Sequence, residues 1–224
     1  MDRRTQRVLA GASLAIGLAA AAPRARANLL VDPGFEVNPL TSYVNVLTNF
    51  PGFQGIWGVE AATISGAEGL VTPPEGVKML RMVDDGLVAT QAFQVTDVSS
   101  YAALIDSGGA TVDLGALLNS HVPAAAGGVT VLFFSAANWG SQIGAPITGN
   151  ITLDSLPATW EPAAVSGSMP IGTRWLVSQV AFSNASLGGD PGYVDAAYLR
   201  IVPEPLSLAL LALAGAVLRT GRRW

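Results

Sequence analysis

The 224-residue chain contains no cysteine and a single histidine, His121. Without cysteine, thiol catalysis, thiolate metal sites and disulfides are all excluded, so stability has to come from the core, with a bound metal as a second source. With one histidine, a Ser-His-Asp hydrolase would need His121 as its base, and a zinc site would be short of nitrogen ligands. His121 lies in Asn119-Ser120-His121-Val122-Pro123, a turn-like stretch without a nucleophile motif, and reads as a loop residue. A phosphate-cradling loop is also missing: Gly108-Gly109 and Gly127-Gly128 lack both the following Lys-Ser/Thr and the dinucleotide-binding spacing. Cations are scarce as well. Of twelve Lys and Arg residues, five precede Asn28 and three follow Leu218, which leaves Lys78, Arg81, Arg174 and Arg200 between Asn28 and Val202. Against fourteen acids in that stretch they give a net charge of −10, where the whole chain has −4. Such a body makes a poor nucleic-acid binder, because that affinity comes from Lys and Arg at phosphates. It suits an exported protein that recruits divalent cations. The densest carboxylate pair, Asp84-Asp85, runs into Gly86 and reads as a turn rather than as a glycosidase dyad. The sequence therefore points away from an enzyme.

The two ends carry the clearest patterns. Arg3, Arg4 and Arg7 precede an apolar stretch from Val8 to Ala22, followed by Ala25-Arg26-Ala27. A basic start, an apolar helix and an Ala-x-Ala site describe a secretory signal peptide over residues 1–27, cleaved after Ala27 to leave Asn28 first. At the other end, Pro203-Glu204-Pro205 is followed by an apolar run from Leu206 to Leu218 and then by Arg219, Arg222 and Arg223. The prolines keep the chain extended. The Leu- and Ala-rich run favours a helix, and the arginines hold the end on the cytoplasmic side of a bilayer. The run rises only about 20 Å against roughly 30 Å of hydrocarbon, so it suits a transient anchor better than a permanent one. This order of parts resembles the PEP-CTERM sorting signal of Gram-negative bacteria, which is handled by the membrane protease-transpeptidase exosortase. The resemblance implies that residues 203–224 form a sorting segment with exosortase as partner. It also implies transient residence in the inner membrane and a final place at the cell surface or in the extracellular matrix of a biofilm.

The body, residues 28–202, reads as one all-β domain without repeat or linker. Short alternating or β-branched runs recur at 78–83, 89–95, 129–134, 175–182 and 193–202, separated by Gly- and Pro-rich turns. Residues 101–105 and 114–118 are each expected to form a helical turn, and 123–128 a loop. Residues 157–172 are expected to be a long stretch pinned by Trp160, Val165 and Met169. The segment Asn28-Leu29-Leu30-Val31-Asp32-Pro33-Gly34-Phe35-Glu36 resembles the opening strand of galactose-binding-like jelly rolls, a group that includes many carbohydrate-binding modules. Gly192-Tyr193-Val194-Asp195-Ala196-Ala197-Tyr198-Leu199-Arg200-Ile201 resembles their closing strand. The resemblance implies an all-β jelly-roll β-sandwich, flanked by an N-terminal signal helix and a short C-terminal hydrophobic helix, with first and last strands side by side.

Two kinds of site follow. By strand alternation Tyr193, Asp195, Ala197, Leu199 and Ile201 share one largely apolar face, so Asp195 is a carboxylate at the edge of the core. Glu36 lies beside it if the jelly-roll topology holds, and two such carboxylates repel unless a proton or a cation sits between them. Oxygen ligands of this kind suit a structural calcium at Glu36 and Asp195, and galactose-binding-like modules imply one there. Ala196 stands where that resemblance implies a second acid or an Asn. The equal alternative has Glu36 bonded to backbone amides and Asp195 capping a turn. Aromatic rings stack on sugar faces, and Trp57 and Trp139, both in turn-rich surroundings, are the candidate sugar contacts, although burial in the sandwich is the favoured reading for each. The expected function is that of a non-catalytic surface or matrix protein, structural or adhesive within exopolysaccharide. The alternative is a carbohydrate-binding module contacting that exopolysaccharide, and less favoured is a glycoside-processing enzyme.

Overall fold

The computed structural model describes residues 27–37, 39–83, 89–183 and 191–203. Ala25, Glu204, Pro205, both apolar terminal runs and Asp84-Asp85 lie outside the described residues. Among the described residues, no helix is long and apolar enough to cross a membrane.

Among the described residues, eleven strands form two sheets. The six-stranded sheet contains β1 (Leu40–Ser42), β2 (Trp57–Glu60), β5 (Ala89–Asp97), β7 (Ala126–Phe134), β8 (Ile147–Thr152) and β10 (Trp175–Ser183), in the order β1-β2-β5-β10-β7-β8. The five-stranded sheet contains β3 (Ala62–Ser65), β4 (Met79–Met82), β6 (Ala110–Ser120), β9 (Glu161–Ser168) and β11 (Gly192–Pro203), in the order β3-β4-β11-β6-β9. All neighbours are antiparallel except β1 and β2. The molecule is a jelly-roll β-sandwich. Its core forms where the inner faces meet: Val129, Val131, Phe133 and Leu176 from one sheet pack with Val112, Leu114, Leu118 and Leu199 from the other. Period-two alternation places these residues inward and their neighbours outward.

Two short α-helices lie among the described residues, α1 (Tyr43–Thr48) and α2 (Ala102–Asp106). The second matches the helical turn expected at 101–105. Residues 114–118 do not form a helical turn. They lie within β6, whose residues alternate between core and outer face, because pairing with β11 and β9 on both sides overrides the local preference. The 157–172 stretch contains a strand, β9, pinned by Val165 and Met169 against the main core. The opening segment is not a regular strand. It bends at Asp32 and Phe35, which have φ of 49° and 57°, and is tied to both sheets by side chains. Asn28 donates to the Ala197 carbonyl at 2.8 Å and accepts from the Leu199 amide at 3.0 Å. Buried Gln94 accepts from the Val31 amide at 2.8 Å and donates to the Val31 carbonyl at 2.9 Å.

Candidate functional site

On the outer face of the six-stranded sheet, alternation along β5 turns Gln91, Phe93 and Val95 outward while Ala92, Gln94 and Thr96 are buried beneath. That face has two halves. Phe93, Val95, Phe134 and Val177 form an apolar patch covered by α1, by the 3₁₀ turn Phe50–Phe53 and by Trp139. The other half is open and polar. Gln91 donates to the Glu60 carboxylate at 2.9 Å, Gln179 donates to the Gln91 carbonyl oxygen at 2.7 Å, and Thr130 and Thr148 share a hydrogen bond at 3.0 Å. Gln179 and Thr130 stand directly opposite each other in the register, so these five side chains make one row across β2, β5, β10, β7 and β8. At about 4.8 Å between strands the row is about 19 Å long.

Beside the row, Gly128, Thr130, Asn150, Gln179 and Ala181 line a shallow depression of about 210 Å³. Gly128 is required there, because a Cβ would lie 2.8 Å from the Gly149 backbone carbonyl as well as striking the Asn150 side chain over it. The wall on the apolar side is aromatic, with half-buried Tyr43 stacked on Phe93 at 6.3 Å between ring centres and 30° between planes. Amide and hydroxyl groups in a row beside an aromatic wall can exchange hydrogen bonds with a ligand's hydroxyls and pack on its C–H faces.

The two tryptophans weighed as candidate sugar contacts lie elsewhere. Trp57 takes the buried reading: it is 3% exposed, its ring sits 5.1 Å from Phe35, and its indole N–H is shared by the carbonyls of Val31 and Asp32 at 3.1 Å each. It faces inward from β2 and pins the opening segment. Trp139 is half-buried, packed edge-on against Phe50 and Phe134 at 5.7 and 5.1 Å. It forms the cap on the apolar half and is not part of the polar row. Sequence reasoning missed Gln91, Gln179 and Thr130. Their signal was present as polar residues alternating with apolar ones in the runs 89–95, 129–134 and 175–182.

The acidic positions converge at one end of the sandwich. Asp195 and Ala197 do not share a face as strict alternation requires. The register between β11 and β6 shifts between Asp195 and Tyr198, with Ala196 at φ 48°, so Tyr193 and Asp195 lie on the side opposite Ala197, Leu199 and Ile201. A bulge of this kind inserts one residue and reverses the alternation beyond it. Asp195 is nevertheless fully buried. Its Oδ1 accepts from the Ala196 amide at 2.7 Å, and its Oδ2 has no partner. Glu36 accepts from the Val77 and Lys78 amides at 2.7 and 2.9 Å through one oxygen. Glu75 also approaches: its Oε1 and the Asp195 Oδ1 lie 3.1 and 3.5 Å from the point a Cβ of Gly34 would occupy. Burial, reinforced by the charges of Glu75 and Glu36, pushes the Asp195 carboxyl up to about 7, against the pull of the Ala196 and Glu75 amides. All these donors are oxygens, and an orphaned buried carboxylate oxygen fits a hard cation such as calcium. Among the described residues no three acidic or imidazole side chains form a ready cage, so an ion there would take backbone carbonyls and water for its other positions.

No family model matches the chain, and no curated protein matches its sequence. Solved structures do share the fold. The carbohydrate-binding module TmCBM61, determined with β-1,4-galactotriose, is similar with a TM-score of 0.51 and 14% identity, over 80% of this chain and 99% of that one. A family 16 carbohydrate-binding module-2 gives 0.46 and 14%, over 77% of this chain and 99% of the other. A protein from Bacteroides thetaiotaomicron, described as sugar binding, gives 0.48 and 10%, over 78% and 99%. At 14% identity the likeness to TmCBM61 bears on the fold alone.

Proposed function

We propose that this chain is an exported, non-catalytic protein whose sandwich binds carbohydrate through the polar row on its six-stranded sheet, holding exopolysaccharide at the cell surface or in the matrix. The observation that carries the reading is the row Glu60, Gln91, Gln179, Thr130, Thr148, open to solvent beside the Tyr43–Phe93 wall. Amides and hydroxyls that bond one another across strands can re-pair with sugar hydroxyls at little desolvation cost. The fold it shares with TmCBM61 accommodates such a role. A glycan array probed with the full chain and with Gln91→Ala/Gln179→Ala tests it. Retention by at least one glycan, lost in the variant, is the expected result. An array silent for the wild type leaves the purely structural or adhesive role in its place.

The terminal patterns extend the proposal. The signal peptide and the Pro203-Glu204-Pro205 motif support export followed by exosortase sorting, with passage through the inner membrane. Asn28, the first residue after the expected cleavage, bonds the closing strand through its side chain, which gives the mature end a structural role. A structural calcium between Glu36 and Asp195 belongs to the same reading, and the unpartnered Asp195 oxygen supports it. The ion would supply the positive charge that these carboxylates otherwise lack. The test of that part is whether calcium raises the melting temperature above its value in EDTA.

A further inference from the structure

From the charge on the binding face we infer that the ligand is a neutral glycan chain bound along its length, and not an acidic polysaccharide. The inference rests on the carbohydrate reading above and narrows it. The strands of the six-stranded sheet contain no Lys, Arg or His, and their only ionisable acids are Glu60 and Asp97. Glu60 stands in the polar row itself, bonded to Gln91. Every cation of the body lies elsewhere. Arg81 and Arg200 belong to the five-stranded sheet, Lys78 donates to the Glu36 carbonyl, and Arg174 is paired with Asp106 at 2.6 Å.

A uronate or a sulfated sugar brought to this face would meet Glu60 with nothing to pair its charge, inside a body of net charge −10. Like charges brought together at a desolvated contact are disfavoured. Amide and hydroxyl side chains, by contrast, both donate and accept, which matches uncharged hydroxyls. The length of the row adds the second part. About 19 Å across five strands is room for several linked rings, and the depression beside it is shallow and open rather than a closed pocket for one chain end.

Affinity electrophoresis of the full chain through gels containing neutral polymers (galactan, glucomannan, mixed-linkage β-glucan) or acidic ones (alginate, polygalacturonate) tests this, at two ionic strengths. The expected result is retardation by at least one neutral polymer, unchanged by salt and weakened tenfold or more by Gln91→Ala/Gln179→Ala. Glu60→Lys/Gln179→Lys should lose the neutral ligand and gain salt-sensitive retardation by the acidic ones. Wild-type retardation by acidic polymers alone, weakened by the alanine pair, would overturn the neutral assignment and leave carbohydrate binding standing. Retardation by none of the polymers would overturn both. Melting curves of each variant separate lost binding from lost folding.

Discussion

Gln179 on β10 donates its side-chain amide to the side-chain carbonyl oxygen of Gln91 on β5 at 2.7 Å, on the outer face and two residues apart in the register. Gln91 passes the chain of bonds on to Glu60. Each glutamine therefore holds its neighbour in a fixed rotamer before any ligand arrives, and little side-chain entropy remains to be lost on binding. The covered apolar half of the sheet keeps this row on a rigid base.

The first prediction separates this row from the core. Gln91→Ala and Gln179→Ala should each weaken glycan binding, with a loss of about 0.5–1.5 kcal/mol per hydrogen bond, up to about tenfold each. Both side chains are only half-buried, so thermal stability should change little. Titration calorimetry and melting curves on the same samples check both statements.

Trp57 should behave in the opposite way. Replacing it with Ala removes a fully packed ring and two carbonyl contacts, and should cost about 3–5 kcal/mol of stability. Trp139→Ala should cost clearly less, because its ring is half-buried. Urea unfolding midpoints of the two variants give the comparison, and equal losses would contradict the placement of Trp57.

Asp195 makes stability depend on pH. Its carboxyl titrates near 7 in the folded chain, against about 3.9 when unfolded. Below about pH 4 it is protonated in both states and costs nothing. Between about 4 and 7 the folded state holds a proton that the unfolded state has released, so stability falls as pH rises, by at most about 1.4 kcal/mol per unit. Above 7 the loss is complete. Urea midpoints in EDTA from pH 4 to 8 should show this slope, and Asp195→Asn should flatten it. With calcium present the wild type should recover stability at pH 8 and Asp195→Asn should not. A calcium response identical in both proteins would remove Asp195 from the ligand set.

Gly76→Ala should destabilise on two counts. Gly76 has φ 61°, where a Cβ is unfavourable, and that Cβ would collide with the Glu36 carboxylate. A loss of about 1–3 kcal/mol, with reduced calcium response, is expected from calorimetric melts.

The strands at 78–83, 89–95, 129–134, 175–182 and 193–202 were legible because β-branched and aromatic residues alternate between clear turns. Residues 114–118 misled, since Leu-Gly-Ala-Leu-Leu carries no local sign that it will be paired on both sides. β9 was hidden because Glu161-Pro162-Ala163-Ala164 has weak strand propensity and is ordered by β6. Asp195 was found as a buried acid, but its face was misread: a bulge at Ala196 is set by pairing with β6 and leaves no mark in the alternation. The tryptophans drew attention as single residues, while the polar row is built from side chains on five strands. Only the register brings Glu60, Gln91, Gln179, Thr130 and Thr148 into line.

The most direct measurement is a ¹H–¹⁵N titration of the full chain with a saccharide that the array identifies, following side-chain amides. The account predicts that the amide groups of Gln91, Gln179 and Asn150 shift and saturate together, while the Trp57 indole stays still. Shifts confined to the outer face of the five-stranded sheet, around Tyr198 and Arg200, would contradict it.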